Sequence, residues 1–474
     1  MKIRHAVSRL LAATFITTAA GAAHAETVRI AIGTQDTTIN CATGGLLIRE
    51  LHLLDKYLPH TGKYKDVTYD VQWKDFTSGA PVTNEMVAGK LDFGVMADFP
   101  GALNAAAFQK AGRKSEFITV LSGSVDGSGN GIVVPDGSPV QSIADLKGKT
   151  ISVPFASTAH GMLLRAIKAQ GWNPDTDVNI ITQAPEVAGS ALKAHKIDAH
   201  ADFVPFADLF PYRGIARKIY DGAQSHAPTF HGTLVDAAYA QKYPEVVVAY
   251  LRAALEADRL FAQDPEKYSL LIEKSTGIEA SVDYLYHGPL GIQTRDLTWK
   301  PEYRQATATA IDTLKLLKKT DVNLDSNTVI DDRYIREAFK ESGLDYDAAL
   351  QNYAKQPLFA NDAQTGRPIR DFNDVAQVWL DNEAKVRNYA SPAEAFAALG
   401  KLEQSGSKAR GVFVHDHASG LKLFANQAWY VKDSHGAITA FLLKAGAERY
   451  AQQVTGAVVD YTDARTDATA VASR

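Results

Sequence analysis

The chain has 474 residues, of which 46% are hydrophobic and 22% are charged, and its formal net charge is −4. This length exceeds what one compact core accommodates, so we expect two or three domains. A mildly acidic chain is a poor candidate for binding nucleic acid or an anionic membrane surface, and the single cysteine excludes an internal disulfide.

Residues 1–25 have the pattern of a cleaved secretory signal peptide. Three cationic residues precede the apolar run Leu10–Ala23, and Ala23-His24-Ala25 offers the small residues that signal peptidase accepts. The apolar run is shorter than the roughly 20 residues of a membrane-spanning helix. We therefore predict export with cleavage after Ala25, and a mature protein that is not an integral membrane protein.

The next part of the chain repeats a strand, loop and helix pattern. Thr27–Ile32, Val67–Trp73 and Leu91–Val95 alternate as half-buried strands, and each is followed by a loop and an apolar run. Three successive units of this kind predict a parallel sheet flanked by helices, with the loops along one edge of the sheet. The candidate site residues on these loops are Thr37, Cys41, Thr77, Ser78, Gly79, Asp98 and Phe99.

A second α/β lobe is predicted over about residues 129–228. Gly131–Val134, Thr150–Pro154, Val178–Thr182 and Ile197–Pro205 read as its strands, with helices between them. Its candidate site residues are Asn130, Ser157, Thr158, His160, Asp202 and Phe203. Helical patterns follow over Tyr243–Ala262, Pro265–Thr276, Pro301–Lys318 and Asp332–Ser342.

The pattern weakens after residue 360, which predicts a linker over 361–390 that includes a helix at Val375–Val386. Residues 391–465 then alternate strand, turn and helix signals, and residues 466–474 form a tail. Such a segment is long enough for an independent small α+β domain.

Residues 1–342 resemble the nitrate, sulfonate and taurine class of substrate-binding proteins that serve ABC importers. The matching motifs, in chain order, are Trp73–Pro81, Gly89–Gly94, Asp98-x-Pro100, Asp145–Lys149, and Ile197-Asp198-Ala199 with Phe203-x-Pro205. Phe203 stands where many relatives have a tryptophan.

The resemblance implies an α/β fold in which residues 26–360 form a two-lobed periplasmic binding protein type II clamshell. It also implies a periplasmic location, an anionic or zwitterionic ligand between the lobes, and the transmembrane subunits of an ABC permease as partners. No cofactor and no enzymatic activity are expected.

Loops of this kind suit an oxyanion because backbone N–H groups at helix starts bind it without a cationic side chain. Hydroxyl donors from Thr77, Ser78, Ser157 and Thr158 can add to this grip, although each can equally serve as a helix cap. Asp98 would repel an anion unless it caps a helix or receives an ammonium or hydroxyl group of the ligand.

The C-terminal segment resembles the NosL family, small exported domains associated with copper delivery. The matching residues are Ala409–Asp416, Ser419-Gly420, Ala428–Val431, Ala447–Thr455 and Gly456–Tyr461. The segment has no methionine or cysteine, so the soft Cu(I) site of a copper chaperone is missing. His415, His417 and His435 can hold a harder metal, or they are turn histidines of a docking domain.

Two alternatives to a binding protein remain at this point. One is a metal-handling protein that binds copper or a metal complex. The other is an enzyme, for which the sequence shows neither a nucleophile elbow nor a phosphate-cradling loop. Some relatives of the same fold act on pyrimidine-type substrates, and Cys41 is the residue to test in that case.

Overall fold

The computed structural model describes residues 26–318 and 320–472, so the predicted signal peptide lies outside the described residues. Within them, no helix combines the length and the apolar composition that crossing a membrane requires.

The first lobe begins with the predicted βα units. Strand β1 pairs in parallel with β2 and β3. The first predicted helix, over 46–58, is shorter than expected because the chain turns at His52, where φ is 51°. The elements are β1 Thr27–Thr34, α1 Leu46–Glu50, β2 Thr68–Asp75, α2 Gly79–Val87, β3 Phe93–Ala97, α3 Asp98–Lys110 and β4 Ser115–Ser124.

The second lobe has its own five-stranded sheet in the order β7-β6-β8-β5-β9, in which β6 runs parallel to β7 and β8. The sheet covers residues 131–221, and four of its five strands correspond to predicted strands, whereas β9 was not predicted. Its elements are β5 Gly131–Pro135, β6 Thr150–Val153, α4 Thr158–Ala169, β7 Asn179–Thr182, α5 Pro185–Lys193, β8 Ala199–Asp202, α6 Phe206–Tyr212 and β9 Ala216–Asp221.

The chain crosses between the lobes twice, and the two crossing segments touch. Strand β10, Thr229–Asp236, returns to the first sheet and completes the order β2-β1-β3-β10-β4. A Cβ atom on Gly222 would lie 2.1 Å from the Gly127 carbonyl oxygen. Only glycine permits this approach, so the two crossings run in direct contact with each other.

Helices complete the clamshell after β10, and most match the predicted helical segments. Helix α11 packs on α3 and helix α12 packs on α8, whereas α10 lies against α6 of the second lobe. These elements are α7 Ala237–Lys242, α8 Pro244–Gln263, α9 Pro265–Thr276, α10 Ala280–His287, α11 Pro301–Leu316, α12 Arg333–Glu341 and α13 Tyr346–Gln351.

The C-terminal domain contains two small antiparallel sheets, ordered β12-β11-β13-β14 and β16-β15-β17. Its elements are β11 Ala376–Leu380, β12 Arg387–Tyr389, α14 Pro392–Gln404, β13 Ala409–His415, β14 Lys422–Phe424, β15 Trp429–Lys432, β16 Ile438–Phe441, α15 Lys444–Val454, β17 Ala457–Val459 and α16 Tyr461–Ala472.

The predicted helix over 375–386 is wrong, because β11 and β12 occupy that stretch. Strand β11 pairs with both β12 and β13, and all five of its residues are buried. A short apolar run buried on both faces carries no period that separates strand from helix. The segment predicted as a linker therefore supplies two strands to the C-terminal sheet, and α16 extends into the predicted tail.

The C-terminal domain packs tightly on the clamshell. The Tyr284 ring of α10 lies 5.4 Å from the rings of both Trp379 and Phe413, measured between centroids. Tyr212, at the end of α6, stacks near Phe424 and donates a hydrogen bond to the Arg410 carbonyl at 2.7 Å. The domain thus contacts the second lobe and the α9–α10 pair through one continuous core.

Candidate functional site

A cavity of about 230 Å³ lies between the two lobes. The first lobe and β10 line it with Gln35, Thr38, Thr77, Ser78, Gly79, Ala80, Ala97, Pro100 and His231. The second lobe contributes Pro154, Phe155, Ala156, Ser157, Thr158, Thr182, Gln183, Ala184, Pro185, Glu186 and Phe203. Six of the thirteen predicted site residues line this cavity, namely Thr77, Ser78, Gly79, Ser157, Thr158 and Phe203.

Helices from both lobes begin at the cavity, namely α2 and α3 of the first lobe and α4 and α5 of the second. Helix α2 starts at Gly79, where a Cβ atom would lie only 2.6 Å from Pro100 Cβ, so glycine allows the helix end to approach α3. Helix α4 starts at Thr158. The first N–H groups of a helix have no partner within it, and the helix dipole makes this end partly positive.

The hydroxyl groups at these helix starts differ in their roles. Ser157 accepts a hydrogen bond from the His160 N–H at 3.2 Å and donates one to the Pro154 carbonyl at 2.6 Å, so it caps α4. Ser78 occupies the same position on α2 and makes no cap bond through its side chain. Ser157 therefore acts as a helix cap. The Ser78 hydroxyl makes no cap bond and belongs to a residue that lines the cavity.

The charge of the cavity comes from few side chains. Among the described residues that line it there is neither lysine nor arginine, and Glu186 is the carboxylate at its rim. Burial lowers the pKa of His231 to about 3, so this imidazole is neutral at pH 7. Neutral groups are therefore left to hold an anion here: helix N-termini, hydroxyl groups and the side-chain amides of Gln35 and Gln183.

Cys41 lies behind the cavity wall and does not line it. Its Sγ is 3.3 Å from the Thr38 hydroxyl, which donates to it, and 3.5 Å from His231 Nδ1. Burial raises the pKa of the Cys41 thiol to about 12, so the thiol stays protonated. Thr37, the other site residue predicted in this loop, does not line the cavity, whereas the adjacent Thr38 does.

Asp98, Phe99 and Asn130 do not line the main cavity, contrary to expectation. They surround a separate space of about 20 Å³ beside it, together with Arg165 and Thr229. Asp98 accepts a hydrogen bond from the Phe99 N–H at 2.6 Å, and burial raises its pKa to about 6. Its carboxylate faces the charge of Arg165 from the other lobe, so Asp98 belongs to the lobe contact.

His160 and Asp202 also lie behind the cavity surface. The His160 ring stacks on Phe155 with centroids 4.6 Å apart and planes 5° apart. Asp202 is fully buried, with one oxygen 2.8 Å from His200 Nε2 and the other accepting the Phe203 N–H at 2.8 Å. Both residues therefore support lining residues, which are Phe155 and Phe203 respectively.

The sequence analysis missed several lining residues, among them Gln35, Thr38, Phe155, Gln183, Glu186 and His231. Phe155 lies in the loop after β6, which the sequence pattern did identify. Its aromatic side chain in that loop was the signal that could have marked it as a site residue. His231 is brought to the site by β10, far along the chain from the other first-lobe loops, and no local pattern indicates that.

The structure places the histidines of the C-terminal domain in different surroundings. His415 is buried in β13 with Nδ1 2.8 Å from the Val375 carbonyl oxygen, and desolvation lowers its pKa to about 4. His417 packs against the Tyr450 ring. Within residues 26–318 and 320–472, no group of three or more potential ligands from histidine, cysteine, aspartate and glutamate is placed to hold a metal ion.

Comparison with known proteins gives a consistent result. Residues 59–273 match the model of the NMT1-like family. A putative aliphatic sulfonates-binding protein of Escherichia coli K12 is 27% identical over 277 residues, which is 58% of this chain and 80% of that protein. The taurine-binding periplasmic protein of the same strain is 28% identical over 261 residues, or 52% of this chain and 77% of that protein.

Solved structures confirm the predicted two-lobed fold. The periplasmic aliphatic sulphonate binding protein SsuA from Escherichia coli superposes with a TM-score of 0.53 and 24% identity, covering 67% of this chain and all of SsuA. The periplasmic nitrate-binding protein NrtA from Synechocystis PCC 6803 gives a TM-score of 0.52 and 14% identity, covering 71% of this chain and 93% of NrtA. This chain thus contains a region, residues 59–273, that matches the NMT1-like family, and it is similar in sequence to a putative aliphatic sulfonates-binding protein and to a taurine-binding periplasmic protein.

Proposed function

We propose that this protein is the periplasmic solute-binding component of an ABC importer, which binds a small organic oxyanion of the sulfonate type between its lobes. The observation that carries the proposal is the cavity between the lobes, where helices from both lobes begin, α2 and α4 among them. The bound ligand would pass unchanged to the transmembrane subunits of the permease.

The arrangement suits a monoanion with several oxygens. Each helix N-terminus carries about half a positive charge, and two of them facing one cavity offset a single negative charge without a cation. Thr77 and Ser78 add hydroxyl groups from the first lobe. A ligand held this way contacts both lobes, so its binding favours the closed clamshell.

The carboxylate of Glu186 extends the proposal to zwitterions. Glu186 is exposed at the rim of the cavity, in the first turn of α5. An amino-sulfonate that places its anionic end at the helices can therefore direct its ammonium group toward this carboxylate. Taurine and its relatives belong in the ligand panel for this reason.

The neutral thiol of Cys41 supports binding rather than catalysis. A nucleophilic cysteine needs a thiolate, and neither the burial of Cys41 nor the neutral His231 beside it favours one. The substitution Cys41→Ser should accordingly leave ligand affinity nearly unchanged.

Isothermal titration calorimetry of the mature protein with a panel of sulfonates, taurine and nitrate tests the proposal. We expect one-to-one binding of at least one sulfonate. Ser78→Ala should weaken that binding about 10-fold, because a hydrogen bond to a charged group is worth roughly 1.5 kcal/mol. Ser434→Ala, in an exposed turn of the C-terminal domain, is the matched control. No heat with any sulfonate, taurine or nitrate would contradict the proposal.

A further inference from the structure

We propose that the ligand is an aromatic sulfonate whose ring lies on Phe155 while its sulfonate group meets the starts of α2 and α4. This inference rests on the proposed function and names the substrate class of the same cavity. Phe155 is 43% exposed in the wall of the cavity, whereas Phe203, which also lines it, is 7% exposed. A large aromatic side chain left open inside a cleft indicates a surface that a ligand covers.

The geometry of Phe155 defines which of its faces is available. The His160 ring covers one face, nearly parallel at 4.6 Å between centroids. Phe155 lines the cavity, so we place the ligand ring on the face that His160 leaves uncovered. A planar ligand ring placed there would continue the stack of two rings as a third member, an arrangement that aromatic groups favour in offset form.

The loop that holds Phe155 adopts a costly conformation. Ala156 has a φ of 63°, in the left-handed region that residues with a Cβ atom rarely occupy. The Ala156 N–H donates to His160 Nδ1 at 3.4 Å, and the Ser157 hydroxyl donates to the Pro154 carbonyl at 2.6 Å. Local strain that neighbouring bonds maintain is typical of ligand-binding loops. In this loop the two hydrogen bonds hold the backbone on either side of Ala156, and so position Phe155 at the cavity.

The remaining walls and the size of the cavity fit a ring better than a small inorganic anion. Pro100, Pro185 and Phe203 add apolar surface around Phe155. A space of about 230 Å³ corresponds to about eight water molecules at roughly 30 Å³ each. Nitrate fills only a small part of that space, whereas a benzene ring with a sulfonate group displaces most of it.

Calorimetry with three sulfonates tests the inference on the mature full-length protein. Benzenesulfonate and cyclohexanesulfonate are matched in size, and methanesulfonate supplies the anionic group alone. We expect benzenesulfonate to bind at least about 3-fold more tightly than cyclohexanesulfonate, since stacking adds to simple burial. Both should bind more tightly than methanesulfonate.

The variant Phe155→Leu separates the ring contact from the anion contact. It should weaken benzenesulfonate about 10-fold and change methanesulfonate by less than about 2-fold. Phe372→Leu, at another partly exposed phenylalanine in the segment before the C-terminal sheet, should change neither. Circular dichroism of each variant checks that the fold is retained.

The outcomes distinguish this inference from the proposed function. If methanesulfonate or taurine binds as tightly as benzenesulfonate, or if Phe155→Leu weakens all sulfonates equally, the aromatic class is overturned and the binding function stands. If no sulfonate, taurine or nitrate binds, the proposed function and this inference both fail.

Discussion

Ala156 carries the clearest backbone strain near the cavity, with a φ of 63° in a residue that has a Cβ atom. We predict that Ala156→Gly raises the free energy of unfolding by about 0.5–1 kcal/mol, because glycine adopts this conformation without steric cost. Denaturant unfolding of the variant and the parent measures the change. Gly436→Ala, at a glycine with a φ of 84° and open space around its Cβ position, should shift stability in the opposite direction. A destabilised Ala156→Gly protein would contradict the assignment of strain.

Asp283 is a buried carboxylate whose protonation should govern part of the pH dependence of stability. It is fully buried, accepts one hydrogen bond from Ser269 at 2.7 Å, and desolvation raises its pKa to about 7. Between about pH 4 and pH 7 the native state keeps a proton that the unfolded state releases. Stability from this residue is therefore present at low pH and is lost as the pH rises through that window.

The variant Asp283→Asn should remove this dependence while keeping an acceptor for Ser269. We expect its stability relative to the parent to increase by more than about 1 kcal/mol between pH 4.5 and pH 7.5. Urea unfolding at both pH values gives the difference, with Asp371→Asn on the exposed segment before β11 as the control. A relative stability that does not change with pH would rule out the raised pKa.

At the scale of single residues, the sequence indicated the site only in part. The loops after β2 and β6 were identified from their glycine, serine and threonine content, and both line the cavity. The sequence left open whether Ser78 and Ser157 cap helices or face a ligand, because both readings need the same hydroxyl at the same position. Only the hydrogen bonds in the structure distinguish the cap, Ser157, from Ser78, which makes no cap bond. His231 was missed because a strand distant in sequence delivers it.

At the scale of elements, the contact between α3 and the first sheet depends on Gly101. A Cβ atom there would lie 2.0 Å from Phe117 Cζ, and Phe117 is itself packed against Phe230 and Trp299. We predict that Gly101→Ala destabilises the protein by about 2–3 kcal/mol through overpacking.

Gly161 in α4 is the matched control for this substitution. A Cβ atom at Gly161 meets only Arg165 Nη1 at 3.4 Å, which is an ordinary contact. Gly161→Ala should therefore stabilise the protein by about 0.5–1 kcal/mol through helix propensity alone. Thermal and denaturant unfolding of both variants checks the opposite signs, and equal effects would refute the packing argument.

Most elements of the clamshell were predictable because alternation and helical spacing are strong signals over long segments. Helix α9, Pro265–Thr276, begins and ends as predicted, since Pro265 starts it and Gly277 stops it with a φ of 73°. Strand β11 was predicted as a helix because its residues are buried on both faces, which removes the alternation that identifies a strand. Its pairing with β12 and β13 settles the conformation, and a local hydrophobic pattern does not show that pairing.

At the scale of the whole molecule, the C-terminal domain and the clamshell should unfold together. Phe413 is fully buried and lies between the Tyr284 ring of the clamshell and the Phe424 ring of its own domain. We predict that Phe413→Ala lowers stability by about 3–5 kcal/mol and shifts a single calorimetric transition. Phe359→Ala, at a 92% exposed phenylalanine, should leave the transition in place. Two separate transitions would show instead that the domains are energetically independent.

The environment of Cys41 makes the protein convenient to label. Cys41 is the sole cysteine of the chain, is 1% exposed, and has a thiol pKa raised to about 12, so thiol reagents should not modify it in the native state. A cysteine introduced at Val187, which is 57% exposed beside the cavity residue Glu186, would then be the reactive position. A fluorophore attached there would report ligand arrival and lobe closure in real time, without any prior removal of native thiols.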